Sequence, residues 1–144
     1  MESQPNKDAN GHDGKSAIWR AQFASPARGG IQRFLWSGTS SDDAPERGVT
    51  HSSEDTWTSS NASTQPFDIA FLKIDSDAAL LVAQKHGGEK VLQANPNLPV
   101  IYVLNWDGHK SQLVWQVIYG ASHDDAKLVV DVDASSGVFV RVEK

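Results

Sequence analysis

Residues 100–142 carry the pattern that most restricts what this chain can fold into. Four apolar runs, at 100–106, 113–119, 128–132 and 138–142, follow one another at short, regular spacing and are rich in Val, Ile, Leu and aromatic residues. Turn chemistry separates them: Asp107-Gly108, then Gly120 with 122–125, then Asp133-Ala134-Ser135-Ser136-Gly137. Runs of this kind between Asp and Gly punctuation read as strands. Links this short join antiparallel neighbours, because a parallel connection needs a crossover of a dozen residues or more. The expected unit is an antiparallel meander with one face to be covered.

The cover is predicted just upstream. Residues 75–88, DSDAALLVAQKHGG, give one central helix at about 76–87. Asp75 and Ser76 are N-cap types, and Asp77 puts negative charge where the helix dipole favours it. Lys85 and His86 lie in the last turn, and Gly87 or Gly88 supplies a left-handed stop. Ala79, Val82, Ala83 and His86 share a face at three- and four-residue spacing, flanked by Leu80 and Leu81. A helix this short depends on packing for its stability. Residues 89–99 read as a connector, with Pro96 and Pro99 barring helix.

The first half is β-rich. Residues 16–24 and 31–36 predict a hairpin about the turn 25–30, with Trp19 opposite Trp36, a pair worth a few tenths to about 1 kcal/mol. Residues 48–58 suggest a short edge strand ending near Trp57. Residues 66–74, PFDIAFLKI, alternate as a strand feeding the helix. Residues 1–15 lack apolar periodicity and read as a disordered tail. The expected fold is therefore α+β: an antiparallel sheet of four C-terminal strands plus first-half strands, packed on one helix. It forms a single domain over 16–144, with 16–74 as its β-rich first half. The second-half sheet is expected to pack its other face against the first-half strands. The 18–38 and 101–120 hairpins share a layout, which leaves duplication and chance both open.

Among 144 residues there is no cysteine, so disulfides, thiolate catalysis and Cys-based zinc sites are excluded. A net charge of -5 argues against nucleic acid, which demands clustered Lys and Arg. No apolar run is long enough for a membrane span. The polar start after Met1 shows no signal peptide, and the compartment is left open.

Four segments in order carry a resemblance to PepSY-type domains over 75–144. These are Ser76-Asp77-Ala78-Ala79 with Ala83, the Tyr102 strand, Trp115-Gln116-Val117, and Val130-Asp131-Val132-Asp133-Ala134-Ser135-Ser136-Gly137. The last, a hydrophobic strand ending in Asp-Ala-x-x-Gly, is the most specific. From Trp19 onward the chain also resembles uncharacterised bacterial proteins with this C-terminal pattern, although the first half departs from the ordinary family pattern. The resemblance implies a non-enzymatic α+β module that inhibits peptidases or mediates protein contacts, with no catalytic residues; no metal or cofactor is expected from the residues weighed below.

The residues themselves point the same way. Asp131, Asp133 and Ser135 alternate as calcium ligands do, but Gly137 falls at the seventh position rather than the sixth, and turn formation explains them more simply. His12 with Asp13, the scattered His51, His86, His109 and His123, and adjacent Glu54 and Asp55 match no ligand or acid–base spacing. No GxSxG, GxxxxGK[ST] or GxGxxG occurs. Asn61-Ala62-Ser63 fits a glycosylation sequon, expected by chance. Trp57 beside a loop and Trp106 beside a turn are the candidate contact surface, since exposed aromatics bind peptides and partners. The first reading is a non-catalytic module acting through protein or peptide contact at an open sheet edge. The alternatives are a small hydrolase or ligand-binding protein with a cleft between the halves, and a subunit dimerising through the Trp-rich first half.

Overall fold

The computed structural model describes residues 1–60 and 65–144; the sequon at 61–63 lies outside them. It is α+β. Nine antiparallel strands form one sheet: β1 (Glu2–Gln4), β2 (Ile18–Ser25), β3 (Gly30–Ser37), β4 (Gly48–His51), β5 (Asp55–Thr56), β6 (Val100–Asp107), β7 (Gln112–Tyr119), β8 (Leu128–Asp133) and β9 (Phe139–Val142). Their spatial order is β4-β3-β2-β1-β6-β7-β8-β9, with β5 also on β3.

The C-terminal meander and the β2–β3 hairpin form where the alternation and turns predict them. Asp107 Oδ1 accepts the amides of His109 and Lys110 and closes one turn. Asp133 Oδ1 accepts those of Ser135 and Ser136, and Gly137 takes a φ of 75° that a side chain would resist.

One face of β6–β8 is the core. Tyr102, Leu104, Leu113, Trp115, Val117, Tyr119, Val130 and Val132 are buried there. Helix α1 (Ser76–Ala83) lies on this face through Ala79, Leu80 and Ala83, and the small side chains of the two alanines allow close approach. Leu81 points to solvent at 61% exposure. Asp75 caps α1, accepting the Ser76 amide, and the Ser76 hydroxyl donates to the Gly14 carbonyl.

Four expectations need correction. Gly87 supplies the left-handed break expected there, with φ 115°, but the stretch after it is not a plain connector: the chain coils again as α2 (Glu89–Ala94). Pro96 stops it, but the 89–94 stretch before that proline is free to coil, and Val91 and Leu92 pack against the core. Residues 66–74 are not a strand. Asp68 accepts the Ala70 amide and sets a 3-10 turn at Ile69–Phe71, a local bond that competes with a ladder. Phe67, Leu72 and Ile74 nevertheless cover the core. The first-half strands do not stack on the second half's far face; they extend the same sheet sideways.

The fourth correction concerns residues 1–15. Strand β1 pairs with β2 at Glu2↔Arg20, Ser3↔Trp19 and Gln4↔Ile18, and with β6 at Glu2↔Val103. Ser3 is buried, and its hydroxyl accepts the Tyr102 amide at 2.8 Å. Asn10 accepts the Val100 amide, and Gly11 accepts the Tyr102 hydroxyl. The polar composition misleads because these residues bond through backbone and small side chains instead of burying apolar bulk. Trp19 and Trp36 are register partners, as expected. The Trp19 ring, however, turns to stack on Tyr102 (6.4 Å) and to meet Trp115 edge-on (6.2 Å), while Trp36 is 43% exposed.

Gly11 has a φ of 79°, and a Cβ there would land on the Val100 carbonyl. Gly11→Ala is expected to cost about 2–3 kcal/mol in urea unfolding and to speed amide exchange at Val100 and Tyr102. Wild-type stability would mean that the N-terminal segment contributes nothing.

Candidate functional site

Strand β1 is only three residues long, whereas its neighbours β2 and β6 have eight each. It separates them by two strand spacings, about 9–10 Å. The Met1 carbonyl accepts the Leu104 amide, and its amino group donates to the Leu104 carbonyl at 3.1 Å. Beyond that point β2 and β6 run on with a cleft between them, of about 1090 Å³.

The alternation of an antiparallel ladder fixes what faces this cleft. Ala17 accepts the Gly38 amide, so odd residues of β2 turn their main-chain groups towards β3 and even residues turn theirs the other way. Gln22 and Ala24 therefore present N–H and C=O to the cleft. On β6 Leu104 bonds to Met1, so Trp106 presents its main chain from the opposite wall. Such groups template another strand.

The side chains divide by face. On the helix side the lining is apolar: Phe23, Phe34, Phe67, Leu72 and Trp106. Phe23 meets Phe34 edge-on at 5.4 Å, and Trp106 meets Phe71 at the same distance. Phe23, Ile69 and Phe71 are 60%, 65% and 45% exposed. On the other face the lining is mixed: Arg20, Gln22, Arg33 and Asn105 alternate with Ala24, Ile31, Leu35 and Val103.

Both aromatic residues singled out from the sequence line this cleft. Trp57 is 7% exposed, because its amide bonds to the Gly29 carbonyl and draws the ring under the hairpin tip; the expectation that it stands free on the surface is corrected. Its buried Nε1 has no partner among the described residues. Trp106 is half-buried. Sequence reasoning missed Phe23, Phe34 and Met1. The strand pattern places Phe23 on the same face as Trp19, but only the sheet order sets it across from Trp106.

The other sequence candidates lie elsewhere. Asp133 is taken up by its turn. Asp131 is 1% exposed on the face away from the helix, with Oδ2 2.9 Å from Arg141 Nε and Oδ1 unpartnered. His86 stacks on Phe139, His51 bonds to Gln32, and His12 meets the Leu98 carbonyl. Glu54 pairs with Arg28. Among the described residues no three His, Asp or Glu side chains gather as a metal site, and no helix is long and apolar enough to cross a membrane. No known protein family, curated protein or solved structure matches this chain.

The two aspartates titrate in opposite directions. Burial pushes the Asp131 carboxyl up, with Glu143 adding to this and Arg141 opposing it. Burial also acts to raise Asp133, but hydrogen bonds from Gln112, Ser136 and the amides of Ser136 and Ser135 outweigh it and hold the carboxyl below its usual range. A raised folded pKa contributes stability at low pH that is lost as pH rises through it; a depressed one contributes stability at higher pH that is lost as pH falls through it. Against wild type, Asp133→Asn is expected to lose stability at pH 7, and the gap closes on acidification. Asp131→Asn is expected to lose nothing at pH 7 and to fall behind as pH drops. Urea midpoints across pH 3–7 check both signs.

Proposed function

We propose that this chain is a non-catalytic contact module that takes up an extended protein or peptide segment in the cleft between its two hairpins. The observation that carries this reading is the aromatic lining of the cleft between β2 and β6, with Phe23, Phe34, Phe67 and Trp106 around it and Phe23 60% exposed. Main-chain groups on both walls give affinity, and alternate side-chain pockets give selectivity, as in other modes of strand addition. The exposed rings at the mouth support the same reading, since solvent-facing aromatics at a cleft are a usual anchor.

The PepSY resemblance of 75–144 favours a contact role over catalysis, with peptidase inhibition as one form of it. A small apolar ligand is the second reading, favoured by a volume in the range of ligand pockets.

An array of capped, extended hexapeptides of varied sequence tests the proposal. A subset is expected to bind with dissociation constants of about 1–100 μM, with binding lost in Phe23→Ser and kept in Leu81→Ser, on the solvent side of α1. No peptide above background, or equal binding by both variants, would overturn it.

A further inference from the structure

The two faces of β2–β4 differ in charge and in cover. Trp19 turns its ring onto Tyr102 and Trp115 in the core, so its face of β2 is the helix side. Register carries that face across β3 and onto β4: Trp36 with Val49, Phe34 with His51, and Phe23 with Gln32. None of these is Asp, Glu, Lys or Arg. The arginines of the two long strands, Arg20 and Arg33, alternate onto the opposite face. The Arg28–Glu54 ion pair stands at the hairpin tip as a polar rim. Helix α1 covers the helix side of β7 and β8 and stops short of Trp36 and Val49, which are 43% and 64% exposed, as it does of Phe23.

We infer that this uncharged face of β2–β4 binds a second copy of itself, sheet on sheet, about a two-fold axis that runs along the strands. A face without fixed charge meets its own copy free of like-charge repulsion, whereas a partner selected by charge finds nothing there to pair with. Three strands of up to eight residues make a footprint of about 14 by 27 Å, roughly 400 Å² before side-chain relief is counted. Relief and the two flanks bring each copy towards the roughly 800 Å² per partner of a standard interface. The direction of the axis follows from α1. Packed sheets lie about 10 Å apart, and α1, about 10 Å thick, fills that level beside the face. A two-fold across the strands would drive one α1 into the other. A two-fold along them sends each helix layer past the other copy's β4 edge. It also sets Ile69 and Phe71, 65% and 45% exposed on that flank, against the second copy's β4.

The dimer rests on this face alone; its consequence for the cleft rests on the contact reading above. Phe23 and Phe34 belong to both surfaces, whereas Trp36 and Val49 belong to the face. A second copy therefore closes the aromatic side of the cleft, and the monomer is the form that takes up a segment.

Sedimentation equilibrium of the full chain from about 1 to 300 μM tests the dimer. The mass is expected to rise from 15.6 kDa towards twice that value, with a dissociation constant of about 1–100 μM. Val49→Lys is expected to weaken association about tenfold or more. It is expected to keep the wild-type urea midpoint, because Val49 is exposed on an edge strand. Leu81→Lys, on the solvent side of α1, is expected to leave association unchanged. The chain has no cysteine, so a single introduced one reports the face. Gln32→Cys, on the middle strand, is expected to cross-link the copies on oxidation; Arg33→Cys, one residue on and facing away, is not.

A mass of 15.6 kDa at every concentration would overturn the dimer and leave the contact reading to its hexapeptide array. Association untouched by Val49→Lys, or cross-linking through Arg33→Cys in place of Gln32→Cys, would sink the assigned face. A peptide from the array is expected to dissociate the dimer. One that binds with the dimer intact would refute the closing of the cleft.

Discussion

The three residues of β1 are the constraint on which the rest of the structure depends. They hydrogen-bond on both sides and turn two separate hairpins into one sheet. Without them β2 and β6 would be edge strands of two small sheets, and an isolated hairpin is marginally stable in water. The Ser3 hydroxyl on the Tyr102 amide fixes the join, and Trp19 reinforces it by laying its ring on Tyr102 and Trp115. Gly11 and Gly14 let the segment after β1 run against Val100 and Asp77 more closely than any side chain would permit.

Beside the join, β2 and β6 face each other across the cleft. A sheet edge in solution invites aggregation and is usually blunted by charge, proline or a bulge. Here the two walls stand about two strand spacings apart, which keeps the main-chain groups of Gln22, Ala24 and Trp106 from pairing with one another.

The core and the cleft are built to different standards. Around Trp115 and Tyr102 the packing is closed, and the Tyr102 and Tyr119 hydroxyls are driven well above their usual pKa, by burial first. At the cleft, aromatic rings remain exposed, and the buried Trp57 donor has no partner among the described residues. Stability is concentrated in β6–β8 under α1. The β2–β3 hairpin carries its aromatic residues at lower burial, where contact surfaces are usually found.

The sequence by itself determined the local elements: the four C-terminal strands, the β2–β3 hairpin, the cap at Asp75 and the turns at Asp107 and Asp133. Each rests on period-two burial or on a side chain bonding its own backbone within a few residues, and such interactions are written locally. Trp106 was legible as a candidate because it abuts a turn. Tertiary structure alone decided that residues 1–15 join the sheet, that 66–74 crosses the core face instead of pairing, and that Phe23 stands across from Trp106. These depend on which strand edges remain unpaired once the core has closed. That is a property of the assembled sheet, and no periodicity along the chain encodes it.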